Sequence, residues 1–100
     1  MIEANRFGDG ASGRNGGQLG TGRRAGPEEM EKEFGFERAK ALFDLAEEAK
    51  AHLLEFASVN GIDIDFRPGH VNVTHKKREL PEFVEYAATA ERFGYRHIKV

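Results

Sequence analysis

Eight of the chain's twelve glycines crowd into its first 26 residues, at positions 8, 10, 13, 16, 17, 20, 22 and 26. Glycine loses more backbone entropy on ordering than any other residue, so such a stretch takes one conformation only around something it wraps. Four Arg stand there against Glu3 and Asp9, a local charge of +2. The remaining 74 residues carry eleven basic and fifteen acidic side chains, a charge of −4. The chain thus divides into a glycine-rich, mildly basic opening and an acidic sequence of ordinary globular composition.

One hundred residues, 39% hydrophobic and with eight Phe, are too apolar and aromatic for a disordered chain. At this size much of the apolar surface stays near the boundary, and the loss of a neighbouring layer is decisive. The net charge of −2 argues against a global preference for nucleic acid or anionic membrane. The absence of Cys excludes disulfides, thiolate metal sites and Cys nucleophiles. No apolar run is long enough for a transmembrane helix. The start, Met1 to Arg6, lacks a signal peptide's apolar stretch, so the expected compartment is the cytoplasm.

From Pro27 the pattern is helical. Pro27 suits a first helical position, and Glu28, Glu29 and Glu31 suit the positive end of the helix dipole. Gly35 divides a short helix from a long one over about Phe36 to Asn60. Its expected core stripe is Leu42, Ala46, Ala49, Leu53 and Phe56, widened by Phe43 and Leu54. Asn60-Gly61 is a stop signal. The period then changes to two. Ile62, Ile64 and Phe66 alternate with Asp63, Asp65 and Arg67, which predicts a half-buried strand. After a Pro68-Gly69 turn, Val71 and Val73 predict a second. A last helix is expected from Leu80-Pro81 to Phe93-Gly94, burying Phe83, Val84, Tyr86, Ala87 and Ala90. Tyr95 to Val100 reads as a strand without a turn or cap to finish it.

The stretch Gly8-Asp9-Gly10-Ala11-Ser12-Gly13-Arg14-Asn15-Gly16-Gly17-Gln18 carries the chemistry. Closely spaced glycines let backbone N–H groups approach an anion, with no Cβ in the way. Ser12 adds a hydroxyl donor, Arg14 a fixed positive fork, and Asn15 and Gln18 amides that donate and accept. A diphosphate attached to a polar heterocycle is the ligand such a loop suits; a flexible connection is the plainer alternative. Residues 8 to 13 also satisfy Gly-x-Gly-x-x-Gly, but no long helix is expected after them, so the match is accidental.

With Ile2-Glu3-Ala4 before it, the run Gly10-Ala11-Ser12-Gly13-Arg14-Asn15-Gly16-Gly17-Gln18 resembles the D-amino-acid-oxidase-like family of FAD-dependent oxidoreductases, and within it the gamma-glutamylputrescine oxidase type. The resemblance covers most of the chain and is most specific over residues 2 to 20. It implies an α/β fold, an incomplete FAD/NAD(P)-binding, Rossmann-like fold without the first βαβ glycine fingerprint, with two to three helices and short strands. Residues 1–26 would be the FAD-contacting loop after the family's second strand, and residues 27–100 the helical and strand segments of the same incomplete domain. Glu3 would accept the ribose hydroxyls. Ala11 would be among the cofactor-binding residues, Ser12 and Gly13 would lie nearer the phosphates, and Arg14, Asn15, Gly16, Gly17 and Gln18 nearer the flavin. The implied cofactor is FAD and the implied partners are a small amine and the missing parts of the enzyme. Without its first βαβ unit, the sheet edge at Ile2 would lack a partner.

The other polar residues have plainer readings. His52, His70, His75 and His97 are scattered, with no carboxylate at metal-ligand spacing, so no metal is expected. Asp63 and Asp65 read as solvated strand charge, and Lys76-Lys77-Arg78 as a surface run. Ser12 has no nearby base and no strand-turn-helix elbow, and is not a nucleophile. No residue is assigned as a catalytic acid or base, because in flavin enzymes the hydride acceptor is the cofactor. The expected function is a part of a flavin-dependent amine oxidoreductase, inactive alone. The alternatives are a non-catalytic truncated product and a small anion- or nucleic-acid-binding module using Arg14, Arg23 and Arg24, for which Phe7 alone offers a stacking aromatic.

Overall fold

The computed structural model describes residues 4–100. The edge expected at Ile2 and the expected ribose ligand Glu3 lie outside the described residues. Helix α1 spans Pro27–Phe34, α2 Phe36–Val59 and α3 Leu80–Arg92, and single 3-10 turns occur at Ala11–Gly13 and Lys77–Glu79. The change of composition at residue 26 therefore coincides with the first α-helix.

Local sequence explains these limits. Pro27 opens α1, with Glu28 and Glu29 in the first turn where the dipole favours them. Gly35 closes α1 and opens α2 at φ 77, a conformation that a side chain would oppose. Its N–H donates to Glu31 O at 2.9 Å, while its carbonyl accepts Ala39 N–H at 3.0 Å. At the far end of α2 the Asn60 side-chain amide donates to Phe56 O at 2.8 Å, and Ile62 N–H reaches back to Ala57 O at 2.9 Å. These bonds satisfy carbonyls that the helix end leaves without partners.

The core is small. Met30 of α1, Ala39 and Phe43 of α2, and Phe93 after α3 form it, with Phe36, Leu42 and Tyr95 packed around them. The Phe93 ring meets Phe36 and Phe43 edge-on, at centroid distances of 5.3 and 5.6 Å. Polar bonds fasten α3 to α1: Thr89 Oγ1 donates to Glu28 at 3.0 Å, and the Arg92 guanidinium forks onto both Glu31 carboxylate oxygens. Arg92 also lies 5.5 Å over the Phe36 ring.

Two expectations are corrected. First, the predicted strands at 62–66, 71–73 and 95–100 do not form; there is no strand among the described residues. The Asp63 carboxylate accepts Asp65 N–H at 3.0 Å, an Asx turn, and Asp65 sits at φ 44, which breaks the alternation. Asp65 then pairs with Arg67 in solvent. A strand also needs a ladder partner, and none of these segments has one here. Second, the buried line of α2 is Ala39, Phe43 and Ala57. Leu42 and Ala46 are half-buried and Ala49 is exposed, as are Leu53 at 48% and Phe56 at 56%. In α3, Ala90 is buried and Phe83 and Ala87 half-buried, whereas Val84 and Tyr86 are exposed. The apolar stripe of α2 runs on past the part that α1 covers.

The radius of gyration is 16.9 Å, against about 13 Å for a compact chain of this length. Val71 is 82% and Val73 85% exposed, alongside partly covered Ile62, Ile64 and Phe66. Unpaired extended backbone carrying apolar side chains favours association. The double substitution Val71→Lys with Val73→Lys is expected to reduce self-association in sedimentation velocity while shifting stability by no more than about 0.5 kcal/mol. Unchanged association would place the sticky surface elsewhere.

Candidate functional site

The glycine-rich loop is braced by its own side chains. The Asn15 amide nitrogen donates to Ala11 O at 3.0 Å and Ser12 O at 2.9 Å. The Asn15 amide oxygen accepts Gly17 N–H at 2.7 Å. One side chain thus ties both limbs of the turn, and the 3-10 bonds from Gly13 to Gly10 and from Arg14 to Ala11 complete it. An Asn suits the position because its short amide donates and accepts at once.

Gly13 is required here by contact. A Cβ at this position would stand 2.0 Å from the Gly8 carbonyl oxygen. The loop therefore folds back on itself more closely than any other residue allows. The chain from residue 4 to residue 18 is exposed throughout. Among the described residues, the Ser12 hydroxyl, the Arg14 guanidinium and the Gln18 amide make no hydrogen bond. A self-braced turn with exposed N–H groups, a hydroxyl and a guanidinium is a donor set matched to an anionic diphosphate.

The structure thus brings Ala11, Ser12, Gly13, Arg14, Asn15, Gly16, Gly17 and Gln18 into one turn. No long helix follows the Gly-x-Gly-x-x-Gly match, since α1 begins only at Pro27. Among the described residues there is no group of three His, Asp or Glu side chains placed to hold a metal ion. No helix among them is long and apolar enough to cross a membrane.

The sequence profile of the FAD dependent oxidoreductase family, abbreviated DAO, matches residues 1–100. The chain belongs to this family. The family's cofactor is FAD, and its FAD-binding domain has a Rossmann-like fold; the described residues of this chain form three α-helices and no strand. A probable oxidoreductase OrdL of Rhizobium meliloti (strain 1021) is 50% identical over 98% of this chain and 23% of its own length. The gamma-glutamylputrescine oxidoreductase of Escherichia coli (strain K12) is 33% identical over 100% of this chain and 24% of its own. A further OrdL, from Haemophilus influenzae (strain ATCC 51907 / DSM 11121 / KW20 / Rd), is 28% identical over the same share of this chain. The chain spans about a quarter of the length of these relatives. No solved structure matches it significantly.

The residues that hold the glycine-rich loop against the helices carried no signal in the sequence. Beyond Gln18 the chain turns onto α2, where Gly22 N–H donates to Glu47 Oε1 at 3.1 Å. Lys50 donates to Thr21 Oγ1 at 3.2 Å and pairs with Glu47. An open cleft of about 490 Å³ is walled by Glu47 and Lys50 together with Lys40, Asp44, Tyr95 and His97. Glu47 and Lys50 gave no signal beyond ordinary three-residue helical spacing. Only the placement of Thr21 and Gly22, 25 to 29 residues away, distinguishes them.

Proposed function

We propose that this chain supplies the cofactor-contacting loop of a flavin-dependent oxidoreductase that oxidises an amine by hydride transfer to FAD. The observation that carries the reading is the turn over Ala11–Gln18, braced by Asn15 and presenting exposed donors. Residues 1–26 are the FAD-contacting segment in this reading, and residues 27–100 belong to the same domain. The segments at 62–66 and 71–73 take up strand pairing in the longer protein.

The donors divide the work. Ser12, Gly13 and the neighbouring amides hold phosphate oxygens, and Arg14 adds a fixed positive charge on the flavin side of them. Asn15 shapes the turn. Gly16, Gly17 and Gln18 lie toward the flavin, and Glu3 accepts the ribose hydroxyls. Bound FAD would supply the acceptor for a hydride from the carbon next to the amine nitrogen; that loss gives an iminium, which becomes the imine when the nitrogen gives up a proton. The protein's share is binding and orientation, and no residue of this chain is assigned as acid or base. Likeness to the Escherichia coli gamma-glutamylputrescine oxidoreductase supports a gamma-glutamylputrescine-like amine or an amino acid as substrate. With about a quarter of such a protein's length present, turnover needs more than these 100 residues.

The test is a visible absorption spectrum after incubation with excess FAD and desalting. Retained flavin absorption, diminished by Arg14→Ala, is the expected result. A colourless protein, or retention indifferent to Arg14, contradicts the reading of the loop.

A further inference from the structure

The hydrogen bonds of Asn15 tie the turn to itself, so something else must fix where the loop points. The first tether after Gln18 is at Thr21 and Gly22. Glu47 Oε1 accepts Gly22 N–H at 3.1 Å, and Lys50 Nζ donates to Thr21 Oγ1 at 3.2 Å. Glu47 and Lys50 are themselves ion-paired, with side chains only 26% and 21% exposed. Lys50 also stands 5.5 Å over the Tyr95 ring, which joins the tail after α3 to the same node. Gly22 lies at φ 74, and a Cβ there would meet the Phe43 ring at 3.2 Å. The backbone at Gly22 is therefore seated against the core aromatic by the absence of a side chain.

We propose that Glu47 and Lys50 are positioning residues: one face of α2 grips the far end of the FAD loop and sets its direction. This rests on the FAD reading above. The carboxylate is the stronger half. A backbone N–H donating to a half-buried carboxylate is among the stronger neutral-to-charged bonds, whereas an exposed ion pair alone does little. Lys50 holds Glu47 in the rotamer that faces Gly22 and adds the Thr21 bond. A clamp three residues beyond Gln18 limits the turn's freedom in the unliganded chain, and restraint of that kind lowers the ordering cost of binding.

The experiment combines amide hydrogen exchange with FAD titration on the full 100-residue chain. Glu47→Ala is expected to speed exchange at Gly22 by about tenfold or more, and to weaken FAD binding by a similar factor, with helix content unchanged in circular dichroism. Glu47→Gln keeps an acceptor for Gly22 N–H and is expected to restore both readouts to within about threefold. Thr21→Val keeps the shape, deletes the Lys50 bond and is expected to fall between them. Should Glu47→Ala lose its helices, the Gln and Val variants decide. A Glu47→Ala chain with wild-type exchange at Gly22, or with Gly22 released and FAD affinity unchanged, overturns the proposal. If the unsubstituted chain binds no FAD, the loop's assignment fails by itself; the clamp is then decided by whether Glu47→Ala speeds exchange at Gly16, Gly17 and Gly20.

Discussion

Phe93→Ala is expected to abolish the cooperative thermal transition of this chain. Phe93 is 1% exposed, and it is the one large side chain among the described residues that is fully enclosed. Its ring is the shared partner of Phe36 and Phe43, so it joins the start of α2, the middle of α2 and the end of α3 in one contact. Truncating a buried Phe costs about 3–5 kcal/mol, from lost burial and the cavity left behind. A domain of ordinary stability has about 5–15 kcal/mol in all. With only Met30, Ala39 and Phe43 beside it in the buried cluster, this chain belongs at the lower end of that range. Val84→Ala, on an exposed face of the same helix, is expected to change stability by less than about 0.5 kcal/mol. Circular dichroism melts of the two variants check this. A Phe93→Ala chain that melts like the unsubstituted one would mean that the helices do not depend on this core.

The second large effect is expected at Gly13. A Cβ there would lie 2.0 Å from the Gly8 carbonyl oxygen, and backbone cannot swing aside as the end of a side chain can. Gly13→Ala must therefore open the turn that Asn15 ties. Forcing extra volume into a close contact costs about 1–3 kcal/mol. If the turn is the FAD-contacting conformation, that cost appears as a loss of affinity of roughly 5- to 150-fold. The helices begin at Pro27 and should keep their melting behaviour. Gly10 is the control, since a Cβ there meets nothing within 4 Å and its φ of −85 is open to any residue. Titration of flavin fluorescence with the two variants separates the outcomes. Equal affinity for both would show that the turn's close approach does not serve the ligand.

The helices were legible because their signals are local. Pro27, Gly35, Asn60-Gly61 and Leu80-Pro81 each act within one turn of the backbone, and each marks a helix limit within about a residue. The strands were not, because alternation reports only which faces a strand would have. Ile62, Ile64 and Phe66 have the right period, yet Asp63 bonds Asp65 locally, and among the described residues there is no second strand to compete for that amide. The same dependence on neighbours displaced the α2 stripe: Leu53 and Phe56 have core spacing but stay about half exposed, while Ala57 is the buried residue at that end. The loop's donors were legible as residue types. The role of Asn15 as a brace was not, because it follows from the turn's shape. Glu47 and Lys50 were invisible since their partners lie far away in sequence.

If the turn from Ala11 to Gln18 contacts FAD, adding FAD perturbs the backbone of that turn before any other part of the chain. Backbone amide chemical shifts, recorded while FAD is added to the isotopically labelled chain, test it residue by residue. Shifts are expected to concentrate at Ser12, Gly13, Arg14, Gly16 and Gly17, with Gly61 and Gly69 unmoved as internal references. Shifts that leave the turn untouched and gather around Lys40, Tyr95 and His97 would contradict it and move the site to the cleft beside α2.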